Sequence, residues 1–206
     1  MSLISLIKVT KSFETKLVIK EASFTLEARS VTLFTGSSGI GKSTLLEIMA
    51  GIQAPDTGIV KRSAPISFMF QDNALIPWLT AEANLSYILP KNSDPKKWAE
   101  RIAALLDFFQ LEKGDYPHTM SGGMRRRLSL ARTFLLKRPI IILDEPFAFL
   151  DENWHHLVSS LIVEAYRDNA ALVIAEHSLN PALKEALEEK ITVCELQDSP
   201  IELRLE

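Results

Sequence analysis

The spacing of apolar residues changes twice along the chain, and each change predicts a different kind of structure. Leu3 to Val9 is a mostly apolar, β-prone run, and Ala22, Phe24 and Leu26 alternate with polar neighbours as a half-buried strand should. Val31-Thr-Leu-Phe-Thr35 is a short, largely apolar strand that runs into Gly36. A helical stretch from Ser43 to Ala50 follows and stops at Gly51, the residue type suited to the left-handed turn at a helix end. Ile66 to Phe70 predicts a further strand.

The period then lengthens. Trp98, Ile102, Leu105, Leu106 and Phe109 fall at helical spacing, and Met124, Leu128, Ala131 and Leu135 define a second helix. Arg125, Arg126 and Arg127 lie mostly off that stripe and read as a solvated face. Approximately residues 72–137 therefore read as a helical subdomain inserted in a single domain spanning 1–206.

Ile140-Ile-Ile-Leu143 is apolar without a break, as a parallel strand covered on both faces should be. Leu157, Leu161, Ile162 and Ala165 mark a helix, Ala171 to Ala175 a buried strand, and Asn180-Pro181 a helix start. Ile191–Leu196 and Ile201–Leu205 alternate about Gln197-Asp-Ser-Pro200 and predict a closing hairpin. The whole reads as an α/β protein: a mainly parallel sheet, an N-terminal antiparallel β part and the helical insert.

Composition narrows the class. The chain has 206 residues, 47% hydrophobic and 24% charged, with a net charge of −3. That is the balance of a globular domain, and nothing global argues for nucleic acid. Cys194 is alone, which excludes an internal disulfide. The N-terminus lacks the pattern of a signal peptide, and no run of about 18 apolar residues appears. Any role at a membrane is expected to come through a partner.

Gly36-Ser37-Ser38-Gly39-Ile40-Gly41-Lys42-Ser43 fits the phosphate-loop pattern G-x-x-x-x-G-K-[ST] in full. A chance glycine-rich turn would not also carry Lys-Ser between a strand and a helix. Glycines let the backbone wrap phosphate oxygens, and the helix start adds inward-pointing N–H groups. Lys42 supplies a charge for the β- and γ-phosphates of ATP, the Ser43 hydroxyl suits Mg²⁺, and Thr44 reaches the α-phosphate. Asp144 and Glu145 follow a buried strand, at the end where open parallel sheets bind ligands. Asp144 is placed to hold Mg²⁺ through water, and Glu145 to polarise an attacking water. Alone, these acids could equally start a helix; beside the phosphate loop they read as catalytic.

Met120-Ser121-Gly122-Gly123-Met124-Arg125 resembles the signature LSGGQ of ATP-binding cassette (ABC) ATPases, and precedes the acidic strand as in that family. Gln71 matches the family's Q-loop, Ala148-Phe149-Leu150-Asp151 its D-loop and His177 its H-loop. Phe13 is placed like the aromatic residue that stacks on adenine. The ordered set covers essentially the whole chain. The resemblance implies a phosphate-loop NTPase fold and an ATPase working as a head-to-tail dimer, of two identical chains or of this chain and a paralogous ATPase. Ser121, Gly122 and Gly123 would meet the γ-phosphate held by the opposite subunit. Gln71 would sense Mg²⁺ and the γ-phosphate, His177 would position the water, and Asp151 would couple the two sites. Metal contacts would thus come from Ser43, Gln71 and Asp144. His118, His155 and His156 have no such support and read as surface residues.

A narrower resemblance, to importer ATPases for nitrate, sulfonates and taurine, rests on Gln71-Asp-Asn-Ala-Leu-Ile-Pro77-Trp78-Leu79-Thr80 and on Asp144-Glu-Pro-Phe147. It implies a peripheral protein on the cytoplasmic face of the membrane, integral-membrane permease subunits and a substrate-binding protein as partners, and no nucleic acid. The segment around Trp78 would help to receive a permease helix; the competing reading packs Trp78 into the insert's own core. Departures from the family pattern are Met120 and Met124 for leucine and glutamine, the glycine-free turn Glu27–Ser30, Phe149 for a small residue, and Glu176 and Ser178 beside His177. Alternatives are an exporter ATPase, a non-transport ABC ATPase of translation or DNA repair, and a different phosphate-loop enzyme such as a kinase. None of the last group explains Ser121–Gly123.

Overall fold

Two sheets carry the fold, seen in a computed structural model that describes residues 1–91, 94–187 and 190–205. In chain order, β1 (Ser2–Phe13) and β2 (Lys16–Glu27) are followed by β3 (Val31–Thr35), helix α1 (Lys42–Ala50), β4 (Thr57–Arg62) and β5 (Ile66–Met69). Helices α2 (Ala81–Ser86), α3 (Pro95–Phe108) and α4 (Gly122–Leu135) come next. Then follow β6 (Ile140–Asp144), α5 (Glu152–Arg167), β7 (Ala171–Glu176), α6 (Pro181–Leu187), β8 (Ile191–Glu195) and β9 (Arg204–Leu205).

The larger sheet has the order β5-β6-β7-β3-β8, with every pair parallel. Its strands are covered on both faces, and the two-residue period divides their side chains between two cores. Ile141, Leu143, Leu172, Ile174, Val31 and Leu33 face α2 to α6. Ile140, Ile142, Ala171, Val173 and Phe34 face α1 and the smaller sheet. Strands with apolar residues on both sides carry no alternation, which is why Ile140–Leu143 reads as an unbroken run.

The smaller sheet has the order β4-β1-β2-β9. Ala22, Phe24 and Leu26 point into the core between the sheets, and β1 pairs antiparallel with β2 and β4. Strand β4 gives no signal in the sequence because it is an edge strand with almost every side chain exposed, and shows no alternation to read.

The closing hairpin does not form. Strand β8 joins β3 in the parallel sheet, whereas β9 runs parallel to β2 in the other. Alternation specifies a buried face, not a partner. Cys194, Leu196, Ile201 and Leu203 all turn into the core shared by the two sheets, so the turn between them crosses from one sheet to the other. The glycine-free turn Glu27–Ser30 is closed by Arg29, which takes a left-handed φ of 57°.

Helices α2 to α4 lie between β5 and β6. Leu85, Ile102, Leu106, Phe109, Leu128, Ala131 and Leu135 pack in one cluster with the sheet. Side chains cap the helix starts: Thr80 for α2, Asp94 for α3, Ser121 for α4 and Asp151 for α5. Asn180 accepts from the N–H groups of Ala182 and Leu183 at the start of α6. Among the described residues no helix is long and apolar enough to cross a membrane.

Candidate functional site

The parallel strands deliver the motif residues to one edge. The glycine-rich loop leaves β3, Gln71 lies past β5, Asp144 ends β6 and His177 follows β7. Register levels them: Thr35 pairs with Glu176 and Asp144 with Ala175. Two glycines are required by space. A Cβ at Gly36 would lie 2.6 Å from the Leu196 carbonyl oxygen, and one at Gly41, where φ is 118°, would lie 2.6 Å from Val18 Cγ1. Helix α1 then opens with its free N–H groups toward the loop. Lys42 is buried, and its Nζ donates to the carbonyls of Gly36 at 2.7 Å and Ser37 at 3.1 Å.

A chain of polar side chains closes around this loop. His177 Nε2 lies 3.3 Å from Ser38 Oγ and 3.4 Å from Glu145 Oε1. Gln71 Nε2 donates to Glu145 Oε2 at 3.1 Å, and Ser43 Oγ donates to Gln71 Oε1 at 3.5 Å. Glu145 thus has a partner on each oxygen. Its backbone is strained, with φ of 51°, a conformation that costs a non-glycine residue about 1–3 kcal/mol and is maintained by its surroundings.

Mg²⁺ fits the donor set. Asp144 is buried and its Oδ1 has no hydrogen-bond partner. Burial pushes its carboxyl up; the Ser43 hydroxyl, Arg126 and Lys42 pull it back, and Glu145 adds repulsion. An orphaned carboxylate oxygen beside a hydroxyl and an amide oxygen suits a hard cation. Among the described residues no group of three or more His, Cys, Asp or Glu side chains could hold a metal ion by itself.

The arginine run is not a solvated face. Arg126 is fully buried. Its Nη1 donates to the carbonyls of Phe70 and Gln71 at 3.0 and 3.1 Å and to Asn73 Oδ1 at 3.0 Å. Its Nη2 donates to the carbonyl of Asp144 at 2.9 Å and to that of Glu145. Arg127 sits 4.4 Å from the Trp154 ring centroid, and Arg125 donates to Met120 O at 2.7 Å. A second missed residue is Glu176, whose Oε1 accepts from Phe147 N at 3.2 Å. Burial pushes its carboxyl up to about 7.

Phe13 is 45% exposed and lines a small cleft of about 210 Å³ with Val18, Gly39, Gly41 and Thr44, and Lys11 Nζ lies over its ring, 5.3 Å from the centroid. Ile40 is buried beneath the loop. Ser121, Gly122 and Gly123 line neither this cleft nor the one formed by Ser43, Gln71, Asp144 and Glu145. The Ser121 hydroxyl accepts from Met124 N at 3.2 Å, and the Phe149 ring lies over Gly122. Asp151 caps α5 through Trp154 N at 3.1 Å. His118 and His156 are exposed. His155 is not a free surface residue: it is part-buried between Phe147 O at 3.3 Å and Asn180 Nδ2 at 3.1 Å. Trp78 is 75% exposed and does not pack into the insert's core.

Residues 19–148 match the family model described as ABC transporter. An aliphatic sulfonates import ATP-binding protein of Corynebacterium glutamicum is 33% identical over 84% of this chain and 73% of its own length. An Fe(3+) ions import ATP-binding protein of Haemophilus influenzae is 29% identical over 89% of this chain, and a sulfate/thiosulfate import ATP-binding protein of Synechococcus elongatus is 37% identical over 70%. The chain spans 58% and 46% of the lengths of those two. A dimeric ATP-binding cassette in a post-hydrolysis state, bound to ADP and Pi, superposes with a TM-score of 0.78 at 25% identity, over 85% of this chain and 88% of that one. A dimeric bacterial ABC transporter cassette shares the fold at a TM-score of 0.82 over 96% of this chain and 97% of that one, at 23% identity. With the phosphate loop, the acidic strand end and the ordered motifs on one sheet edge, the chain belongs to the ABC transporter family.

Proposed function

We propose that this chain binds and hydrolyses ATP as one half of a dimer and powers import through separate membrane permease subunits at the cytoplasmic face of the membrane. The observation that carries the reading is the Glu145 carboxylate, held by Gln71 and His177 beside the Gly36–Ser43 loop. The loop N–H groups, Lys42 and Thr44 bind the phosphates, and Phe13 stacks on the adenine. Glu145 polarises the attacking water, and His177 orients it. Ser43, Gln71 and Asp144 would hold Mg²⁺, which supplies neutralisation of phosphate charge. Ser121–Gly123 of the opposite subunit complete the site, and Asp151 links the two. The names of the relatives support import, and the family's architecture supports the permease partners and a substrate-binding protein.

The test compares wild type with Glu145→Gln in Mg-ATP, following phosphate release and light scattering together. The variant is expected to bind ATP, to lose hydrolysis by a factor of about 10² to 10⁴, and to accumulate as a dimer. If both proteins stay monomeric and hydrolyse ATP equally, Glu145 is not the base and the composite site fails.

A further inference from the structure

Helix α4 grips the site through side chains outside its motif. Besides Arg126, Ser129 Oγ donates to Asn73 O at 3.2 Å, and Arg132 donates to the carbonyls of Asn73 and Ala74, each at 2.7 Å. The backbone held in this way is strained: φ is 67° at Asn73, 44° at Ala74 and 51° at Glu145. Such conformations persist only where neighbours over-determine them. Glu145 is fixed on one side by its N–H to Ala175 O at 2.9 Å. On the other side, its carbonyl accepts from Arg126 and from Ala148 N at 3.1 Å.

We infer that Arg126 is a positioning residue of the reaction, fixing Glu145 and Gln71 relative to each other from helix α4; this rests on the ATPase reading above. One guanidinium spans both sides of the cleft, holding Phe70 and Gln71 with Nη1 and Asp144 and Glu145 with Nη2. A planar fork does this, whereas the single ammonium of lysine cannot. Ion pairing is not the reason for its burial. Among the described residues no carboxylate lies within 4.0 Å of its nitrogens, and its Nε has no acceptor. The acids Glu176, Asp144, Glu145 and Asp72 attract it from farther away. The protein keeps a costly buried cation where its value is geometric.

The experiment measures kcat and Mg-ATP affinity for wild type, Arg126→Gln and Arg126→Lys, each with and without Glu145→Gln. Both Arg126 variants are expected to lower kcat by about 10- to 100-fold, the cost of misplacing a reacting group by an ångström or less. ATP affinity should stay within about twofold, since Arg126 touches no part of the phosphate loop. In the Glu145→Gln background the residual rate should not fall further, because the effect acts through that carboxylate. Should Arg126→Gln not fold, Arg126→Lys retains the cation and carries the same comparison. An unchanged kcat in Arg126→Lys, a matching loss of ATP affinity, or an equal loss of rate without the Glu145 carboxylate would each overturn the inference. Absence of hydrolysis by wild type would instead remove the ATPase reading.

Discussion

Gln71 Nε2 donates to Glu145 Oε2 at 3.1 Å, so a residue from the end of β5 orients the carboxylate at the end of β6. The other end of the same amide accepts from Ser43 at 3.5 Å. Gln71 therefore ties the Glu145 carboxylate to the phosphate loop. Gln71→Ala removes both hydrogen bonds and leaves the side-chain carboxylate of Glu145 with His177 as its one remaining partner among the described residues. The expected outcome is a fall in kcat of about 10- to 100-fold, with ATP binding retained through the loop and Lys42. Steady-state hydrolysis and equilibrium binding of Mg-ATP check it; a loss confined to affinity would show that Gln71 does not orient the base.

Glu176 gives the fold a pH dependence. Burial raises its carboxyl from the ordinary 4.5 to about 7; Glu145 adds repulsion, while the N–H groups of Phe147 and His177 and the Arg126 charge oppose the rise. The folded chain therefore keeps a proton that the unfolded chain releases. The sign follows: the stability due to that proton is complete below 4.5 and is lost as the pH rises through about 7. A rise of this size corresponds to about 3 kcal/mol. Glu176→Gln stays neutral and can still accept from Phe147 N. Denaturant unfolding at several pH values should show wild type losing stability relative to Glu176→Gln between about pH 5 and 7, then running parallel to it. Parallel curves throughout would show an ordinary carboxyl.

What the sequence made legible was chemistry tied to spacing. Gly36, Gly41, Lys42, Asp144 and Glu145 stand out because phosphate binding demands those residue types in that order between a strand and a helix. Arg126 was hidden in a run of three arginines, whose plain reading is a charged surface. A signal did exist: Arg126, Ser129 and Thr133 recur at three- and four-residue spacing, and all three are buried. Of the two hydroxyls, Ser129 reaches the Asn73 carbonyl and Thr133 turns back to Ser129 O in its own helix. The partners of β8 and β9 were not legible, since an alternating strand shows which side it buries and not whom it joins.

Phe149 stands with 76% of its surface exposed, in a left-handed conformation with φ of 64°. Its ring atoms lie 3.7–3.8 Å from where a Gly122 Cβ would be, over the start of α4. An exposed aromatic beside the residues that would meet the opposite nucleotide is placed as an interface anchor. Phe149→Ala should change folding stability by no more than about 0.5 kcal/mol, as expected for an exposed side chain. In the Glu145→Gln background it should weaken the ATP-dependent dimer by about tenfold, read by light scattering across protein concentrations. A tighter dimer would show that the ring obstructs closure.

Trp78 is presented to solvent by a loop that is itself firmly built. Asn84 is 1% exposed; its Oδ1 accepts from Ile76 N at 2.8 Å, and its Nδ2 donates to the carbonyls of Ile76, Leu79 and Thr80 at 2.9–3.1 Å. Tyr87 is likewise 71% exposed. A large aromatic on a pre-ordered loop loses little conformational freedom on binding, which favours a docking role. Trp78→Ala should leave the fold and the ATPase rate of the isolated subunit unchanged, with stability within about 0.5 kcal/mol. Reconstituted with the membrane permease that the proposed function requires, the variant should transport several-fold less per ATP hydrolysed if the indole acts between the subunits and not at the nucleotide. Measuring transport and phosphate release on the same vesicles separates the two: a fall in both, with weaker ATP binding, would place Trp78 in the nucleotide site and remove its docking role.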